Sequence, residues 1–492
     1  MEEFELIAKT FQGLEEVLAQ ELIALGANNV EIGRRMVSFT GNKEMMYRAN
    51  FSLRTAIRIL KPIKHFKARN ADEVYDIVKS IEWEKYLSNN KTFSVDSVVF
   101  SDEFRHSKYV AYKVKDAIVD YFNEKTSKRP NVCLMNADLQ LNIHIAQEKC
   151  TLSLDSSGES LHRRGYRQEA MEAPLNEVLA AGMILLTGWK GECDLIDPMC
   201  GSGTIPIEAA LIARNIAPGV FRKEYAFEKW ADFDKELFGK IYEDDSAERE
   251  FTHKIYAYDN NRKAIEIATR NVKAAGLSKD IEVNLQDFAD FQTPKEKAMI
   301  VSNPPYGERI SADDLLGLYT MIGERLKNGL KEGDAWILSY RQECFAKIGL
   351  KPSVKIPLYN GSLECEFRKY QLFSGKYKEF RSEGNELSER SERREKESRR
   401  AGTGKYHERR QERNKDWKKK KKKEDTRENK KRAYDNSRSQ DNKKPYSPKK
   451  RPDGMHRFAG EEHEFLGERK RLGNIRVMNF DNNTSSKNET ED

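Results

Sequence analysis

The pattern of hydrophobic and polar positions divides the chain into three regions. Residues 1 to about 155 mix helical periodicity, as in "LEEVLAQELIALGA" (14–27) and "KYVAYKVKDAIVDYF" (108–122), with short alternating segments. The alternation predicts strands in "FELIAKT" (4–10) and "TFSVDSVVFS" (92–101), and a hairpin in "LQLNIHIAQEKCTLSLD" (139–155). "EVYDIVKSIEWEKYL" (73–87) predicts a further helix. The first region is therefore expected to be α+β.

Between residues 170 and 375, apolar strands alternate with helices, which is the pattern of a parallel sheet with crossover helices. The predicted strands are 194–197, 254–259, 281–286, 298–302, 335–340, 353–360 and 363–373. The last two are joined by only "GS" and must pair antiparallel, because a parallel crossover needs about a dozen residues or more. We therefore expect an α/β, doubly wound, mostly parallel sheet with a ligand crevice at its switch point.

Beyond about residue 376, charged residues replace the apolar ones. From Lys376 to the end there are 36 Lys and Arg against 24 Asp and Glu, so this segment, at +12, exceeds the whole-chain net charge of +7. Such a segment cannot bury enough apolar surface to offset its chain entropy, so we expect disorder. One stretch, "EFLGERKRLGNIRVMNF" (464–480), regains a few large apolar residues.

Cysteine usage and the N-terminus bear on the class of protein. Six cysteines are scattered without a CxxC pair or a metal-like spacing to histidines, which predicts reduced thiols and no metal site. "MEEFELIAKT" lacks a basic and apolar leader, and no apolar run approaches the roughly 18 residues of a membrane span. We expect a soluble cytoplasmic protein that contacts no membrane.

The first candidate site is "DLIDPMCGSGTIPIEAALIA" (194–213), which predicts a strand, a glycine turn and a helix that starts near Ile205. Gly201 and Gly203 allow a tight turn and the close approach of a ligand. The turn is neither GxGxxG nor a P-loop. The alternative is that both glycines serve only helix–strand packing.

Acidic residues end the next two predicted strands, Asp259 after "YAY" and Asp287 after "NLQ". Carboxyl ends of neighbouring parallel strands face one crevice, where carboxylates accept hydrogen bonds from a ribose and a base amine. Either residue could instead be a helix N-cap, and Asp259 is a fair candidate for that role. Together with the glycine turn, the two carboxylates favour an adenosine-type cofactor.

"VSNPPYGERI" (301–310) places Asn303, Pro304, Pro305 and Tyr306 at the end of the fourth predicted strand, which the proline pair stops. An exocyclic base amine is a poor nucleophile, because its lone pair is delocalised into the ring. The Asn303 side-chain oxygen and the Pro304 carbonyl could hold its hydrogens, while Tyr306 offers a ring for stacking. That is catalysis by position and oriented dipoles. The alternative is an ordinary strand-ending turn.

Residues 160–375 resemble class I S-adenosylmethionine-dependent methyltransferases with an NPPY motif, and "DPMCGSGTIPIEAA" (197–210) resembles the form in THUMP-containing RNA methyltransferases. The nearest resemblance is to the RlmL/YcbY-type 23S rRNA guanine-N2 methyltransferases. It implies a Rossmann-like methyltransferase domain at 157–375, preceded by a ferredoxin-like subdomain at 1–45 and a THUMP RNA-binding domain at 46–156. The charged tail, 376–492, lies outside the resemblance.

The resemblance also implies roles for individual residues. Asn303 to Tyr306 would take the target base, and S-adenosyl-L-methionine would be the cofactor. Its expected contacts are Asp197, Gly201 and Gly203 for the methionine part, Asp259 for the ribose, Asp287 for the adenine amine, and Pro174 at the pocket border. The implied reaction is methyl transfer to guanine N2 in 23S rRNA, with large-subunit rRNA or an assembly intermediate as partner. Alternatives are a DNA adenine-N6 or other NPPY amine or amide methyltransferase, and a non-catalytic RNA-binding assembly factor.

Three features depart from an ordinary methyltransferase or fall outside its motifs. The segment 214–250 resembles a family insertion and could frame the base pocket. Cys200 beside the glycine turn is expected to be a packed residue, because amine methylation needs no thiol nucleophile. Some family members carry a second methyltransferase that modifies guanine N7, which we do not expect here because no second glycine turn follows residue 375.

"HRRGYR" (162–167) joins the two folded regions and is rich in cations. Arg163, Arg164 and Arg167 are expected to contact RNA phosphates, with Tyr166 stacking on a base. The alternative is a solvated linker.

Overall fold

The computed structural model describes residues 2–291, 297–306, 311–329 and 332–373, together with two short strands near the C-terminus. Those strands, Arg469–Leu472 and Ile475–Met478, pair antiparallel within the segment predicted to regain apolar residues. The rest of the tail that was expected to be disordered lies outside the described residues.

The N-terminal region forms one eight-stranded sheet with the order β2-β3-β1-β4-β8-β7-β5-β6. Its strands are β1 (Phe4–Lys9), β2 (Asn28–Gly33), β3 (Met36–Gly41), β4 (Arg58–Lys67), β5 (Thr92–Phe100), β6 (Asn131–Val132), β7 (Leu139–Ala146) and β8 (Lys149–Asp155). Its helices are α1 (Glu15–Leu25), α2 (Lys43–Ser52), α3 (Ala71–Lys79) and α4 (Ser107–Thr126). All pairs are antiparallel except those of β5 with β6 and with β7.

Two hydrophobic clusters lie against this sheet, one with α1 and α2 and the other with α3 and α4. The long strand β4 joins them, because it pairs with β1 on one side and with β8 on the other. The predicted domain boundary after residue 45 falls inside α2, whose Met46, Tyr47 and Phe51 are buried in the first cluster.

The second region forms a seven-stranded sheet with the order β11-β10-β9-β12-β13-β15-β14. Its strands are β9 (Asp194–Asp197), β10 (Ile255–Asp259), β11 (Ile281–Leu285), β12 (Ala298–Ser302), β13 (Glu332–Ser339), β14 (Val354–Asn360) and β15 (Leu363–Phe373). Its helices are α5 (Glu177–Thr187), α6 (Thr204–Ala213), α7 (Lys235–Glu243), α8 (Arg262–Ala274), α9 (Ala312–Gly329) and α10 (Gln342–Ile348). The predicted α/β fold class is confirmed.

The antiparallel strand β15 lies between β13 and β14, with which it pairs on either side. Because β14 is antiparallel to β15, it runs in the same direction as the other five strands. Its carboxyl end at Asn360 therefore faces the same edge of the sheet as the ends of β9, β10 and β12.

The two regions share packing at the start of α1. Leu14, which precedes α1, is fully buried in the hydrophobic cluster of the seven-stranded sheet. A Cβ atom on Gly182 of α5 would lie within 2.6 Å of the Leu14 side chain, so the two residues are in direct contact. Gly13 approaches the backbone carbonyl of Pro357 in β14 equally closely.

One prediction of local structure is corrected. The helix expected at 73–87 ends at Lys79 and a short 3₁₀ turn follows at Trp83–Lys85, because the buried Trp83 folds back and donates its indole N–H to the Val78 carbonyl. Part of the insertion 214–250 packs against the N-terminal region, and its place beside the base pocket stays a prediction. Phe227 and Phe238 pack against Tyr47 of α2, with the Tyr47 and Phe227 rings stacked at 4.4 Å.

In the part of the chain that the structure describes, no helix combines the length and the apolar character that crossing a bilayer would require.

Candidate active site

The glycine turn lies at the carboxyl edge of the second sheet, between β9 and α6. Gly201 and Gly203 have φ angles of +54° and +82°, a left-handed conformation that other residues adopt at a cost. A Cβ atom on Gly201 would meet no other atom within 4 Å, so the turn faces open space there. The backbone can therefore approach a ligand from this side.

Asp259, the last residue of β10, fixes the turn. One carboxylate oxygen accepts the Gly201 backbone N–H at 2.9 Å and the other accepts that of Asn261, also at 2.9 Å. The alternative role as a helix cap is wrong, because Asn261 caps α8 by accepting from the backbone of Lys263 and Ala264. A carboxylate has about four lone-pair sites, so two remain at Asp259 for hydroxyl donors.

Asp197 at the end of β9 is 1% exposed. Burial, together with the negative charge of Asp259, raises the pKa of Asp197 to about 8. Such a carboxyl group is ready to ionise beside a bound cation. The neighbouring Cys200 is also buried, and burial raises the pKa of its thiol well above the usual range, which fits a packed residue with little thiolate.

Asp287, after β11, accepts the Ala289 backbone N–H at 2.8 Å and the Asn260 side-chain N–H at 3.0 Å. These two hydrogen bonds lower the pKa of Asp287 and hold it ionised. Pro174 is exposed and lies just before the buried Leu175, after Ala173 in a left-handed conformation. The adenine contact of Asp287 and the border position of Pro174 remain predictions.

Asn303 follows β12, the strand next to β9 in the sheet. Its side-chain oxygen is buried and has no hydrogen-bond donor among the described residues. Pro304 is buried and Pro305 is exposed. An unmatched buried acceptor is costly, and it fits a position where a ligand supplies the donor.

The Tyr306 ring is 9% exposed and is held by two residues that the sequence did not indicate. Its hydroxyl oxygen accepts from the Asn360 side chain at 2.6 Å, and its ring meets that of Tyr340 edge-on at 5.4 Å. Burial raises the pKa of Tyr306 to about 12, so the phenol stays protonated. Asn360 is the last residue of β14 and Tyr340 directly follows β13, and their polar groups at strand ends were the available signal.

The expected RNA contacts in "HRRGYR" are corrected by their burial. Arg164 and Tyr166 are each 2% exposed, and both bond to the Glu208 carboxylate inside the protein. The Arg167 guanidinium is occupied by protein acceptors. Only Arg163 is exposed, in an ion pair with Glu159 at 2.7 Å. Arg164 and Tyr166 are therefore structural and cannot contact RNA in this conformation, whereas Arg167 is partly exposed but bonded to the protein.

The described residues hold no group of three His, Cys, Asp or Glu side chains arranged to bind a metal ion. The crevice instead offers an open glycine turn, a buried carboxyl group suited to a cation, carboxylates with free lone pairs and an unmatched amide oxygen. This set fits S-adenosyl-L-methionine next to an amine acceptor. The fold and the site define a class I methyltransferase that uses this cofactor.

Comparisons with known proteins identify the same parts. Family models match an RlmL ferredoxin-like domain at residues 5–60, a THUMP domain at 68–155 and an RMKL-like methyltransferase domain at 164–369. A Synechocystis protein named "Putative RNA methyltransferase slr0064" is 37% identical over 369 residues, which is 74% of this chain and 96% of the relative. The crystal structure of "SMU.472, a putative methyltransferase complexed with SAH" is 31% identical with a TM-score of 0.68, and the match covers 76% of this chain and 99% of that one.

A further relative is the "Ribosomal RNA large subunit methyltransferase K/L" of Syntrophotalea carbinolica, 38% identical over 375 residues. The match covers 73% of this chain but 52% of the relative, so this chain spans about half the length of the K/L protein. The chain belongs to the family of S-adenosyl-L-methionine-dependent methyltransferases that join RlmL-type ferredoxin-like, THUMP and RMKL-like methyltransferase domains.

Proposed function

We propose that this protein methylates the exocyclic N2 amine of a guanine in large-subunit ribosomal RNA. The observation that carries the proposal is the buried side-chain oxygen of Asn303, which has no donor among the described residues and follows β12, the neighbour of the strand β9 that leads into the glycine turn. An amine with two N–H groups would supply the missing donor. S-adenosyl-L-methionine, when bound, supplies the electrophilic methyl group.

The residues around the base act by position. The Asn303 oxygen and the Pro304 carbonyl accept the amine hydrogens, which localises the nitrogen lone pair. Tyr306, held by Asn360 and Tyr340, limits how the base can lie. Asp197, Gly201 and Gly203 hold the methionine part of the cofactor, Asp259 the ribose and Asp287 the adenine amine, with Pro174 at the border.

We further infer that the RNA meets the THUMP domain at the start of α4. Phe100, Tyr109 and Tyr112 are 58%, 52% and 58% exposed, although large aromatic side chains are usually buried. Lys113 and Lys115 lie over the Tyr109 and Tyr112 rings at 5.7 and 5.5 Å. Exposed rings beside cations suit unpaired bases and phosphates. The partner is ribosomal RNA or an assembly intermediate, met in the cytoplasm.

The test is mass mapping of ribosomal RNA from cells with and without the gene, followed by complementation. We expect one N2-methylguanine to disappear and to return with the wild-type gene but not with Asn303→Ala. Loss of an N6-methyladenine instead would support the alternative of an adenine methyltransferase. Unchanged modification together with an assembly defect that Asn303→Ala rescues would support a non-catalytic assembly factor.

A further inference from the structure

Within "HRRGYR", the two partly or fully buried arginines Arg164 and Arg167 bind different parts of the protein. The Arg164 guanidinium donates to the backbone carbonyls of Arg54 and Leu161 and to the Glu208 carboxylate of α6. It therefore joins the linker and α6 to the N-terminal region. Arg164 makes no hydrogen bond to the glycine turn in the described residues.

Arg167 lies three residues later and binds the glycine turn itself. Its guanidinium donates to the Ser202 and Thr204 hydroxyls, each at 2.9 Å. The same group donates to the Glu177 carboxylate at 2.8 Å and to the Leu175 carbonyl at 3.2 Å. One planar cation thus connects the glycine turn with the segment that borders the expected cofactor pocket.

A second residue, Asn271, also connects the glycine turn with the linker. Asn271 of α8 is fully buried and donates to the Ser202 carbonyl at 3.0 Å. Its side-chain oxygen accepts the Gln168 backbone N–H at 2.9 Å, and its amide also donates to the Glu169 carbonyl at 3.0 Å. Asn271 of α8 therefore bonds both to the glycine turn, at Ser202, and to the linker directly after Arg167. These bonds fix the backbone next to Arg167 without involving the Arg167 side chain.

We propose that Arg167 is a positioning residue for the cofactor, which sets the conformation of the glycine turn through Ser202 and Thr204. The inference rests on the cofactor assignment made above. A planar guanidinium can satisfy several acceptors at fixed angles, whereas a lysine ammonium is a point charge on a flexible stem and cannot replace all of them. Removal of Arg167 leaves the turn free to sample conformations that do not bind the cofactor.

The experiment compares three arginines of one motif. The full-length Arg163→Ala, Arg164→Ala and Arg167→Ala variants are examined by calorimetric titration with S-adenosylhomocysteine and by thermal unfolding. We expect Arg167→Ala to bind about tenfold more weakly, the size expected when one charged hydrogen-bond donor is lost. Arg164→Ala should lower the Tm but keep the wild-type Kd, and Arg163→Ala should change neither.

Kinetics separate positioning from general damage. In a methylation assay, Arg167→Ala should raise the KM for S-adenosyl-L-methionine while leaving kcat at saturating cofactor within about twofold, since the contact is made before the chemical step. Arg167→Lys replaces the alanine variant if that variant does not fold. The KM of Arg167→Lys for S-adenosyl-L-methionine should lie between the values of Arg167→Ala and the wild type. Ser202→Ala combined with the Arg167 variant should be less than additive for binding, because the two side chains share one interaction.

A wild-type Kd in both Arg167 variants would overturn the inference. So would parallel losses of Tm and affinity in Arg164→Ala and Arg167→Ala, which would mean that both arginines only stabilise the fold. Wild-type protein that does not bind S-adenosylhomocysteine would contradict the cofactor assignment itself, an outcome distinct from either of these.

Discussion

The proposed cofactor side and the proposed base side of the crevice satisfy their polar atoms differently. Asp259 and Asp287 accept hydrogen bonds from the protein before any ligand arrives, and the glycine turn is fixed by Asp259. Asn303, at the end of the neighbouring strand, has a buried oxygen without a donor in the described residues. The cofactor side is thus preorganised, whereas the base side keeps one strong acceptor for the substrate. Substitutions on the two sides should therefore have different effects.

The largest effect is expected at Asn303. Asn303→Ala should lower kcat by about 10²-fold or more, because it removes a preorganised polar partner of the reacting amine. Binding of S-adenosylhomocysteine should stay at the wild-type level. Single-turnover methylation of RNA and calorimetry measure the two quantities. Asn303→Asp keeps an acceptor oxygen and should retain more activity than the alanine variant. Equal turnover in wild type and Asn303→Ala would mean that "NPPY" is only a strand-ending turn.

Asp259→Ala should show the opposite pattern. We expect the binding free energy of S-adenosylhomocysteine to weaken by about 1.5–3 kcal/mol, from lost charged hydrogen bonds and a looser Gly201 backbone. Asn261→Ala is the matched control, because it removes the cap of α8 and should cost about 1 kcal/mol of stability without changing cofactor affinity. Calorimetric titration of both variants separates the loss of a cofactor contact from the loss of a helix cap. Wild-type affinity in Asp259→Ala would remove Asp259 from the cofactor site.

Per pH unit, a smaller effect is expected from the titration of Asp197. Its pKa of about 8 in the folded protein exceeds its ordinary value of 3.8, so the folded state keeps a proton that the unfolded state loses. The contribution of Asp197 to stability is therefore fully present below about pH 4 and declines as pH rises towards 8, by up to about 1.4 kcal/mol per pH unit. Urea unfolding at several pH values measures it.

The same group should make cofactor affinity depend on pH. If the cationic amino group of the cofactor pairs with ionised Asp197, affinity should rise between about pH 6.5 and 8, by at most about tenfold per pH unit. Asp197→Asn cannot ionise and should flatten this dependence. A pH profile that is the same in the variant and the wild type would assign the titration to another group.

The smallest effect on catalysis and cofactor binding is expected from removal of the charged tail. Between Arg393 and Arg451 there are 26 basic and 10 acidic residues, a net charge of +16. Truncation after Phe373 should leave kcat and cofactor affinity unchanged but weaken RNA binding, most at low salt. The slope of log affinity against log salt should become shallower. Identical slopes would favour a solubilising tail that does not contact RNA.

Much of the second sheet could be predicted, because buried parallel strands are short apolar runs and their polar ends stand out. Asp259 and Asn303 were identified in this way, whereas Asp197 came from the family resemblance, and all three lie at one edge. Asn360 follows the same rule but was missed, because the sequence does not show that β14 is parallel to the first five strands. Its orientation depends on β15 entering between β13 and β14.

The arginines of "HRRGYR" could not be assigned from sequence because charge alone does not indicate burial. Arg164 is buried and Arg167 partly buried, and each donates to an acceptor that lies far away in the chain, Glu208 and Thr204 respectively. The packing of the aromatic insertion could not be predicted for a related reason, since many of the apolar side chains around Phe227 and Phe238 belong to the N-terminal region, including α2. Arg164 and the aromatic insertion both make contacts between the two folded regions.

The position of Leu14 has a consequence for the timing of synthesis. Leu14 completes its packing only when α5 exists, and Gly13 meets β14 near residue 357. At about 5–20 residues per second, a ribosome takes roughly 20–70 seconds to pass from residue 14 to residue 357. During that interval the start of α1 presents an uncovered apolar surface, which must stay free of other chains until the last strands emerge.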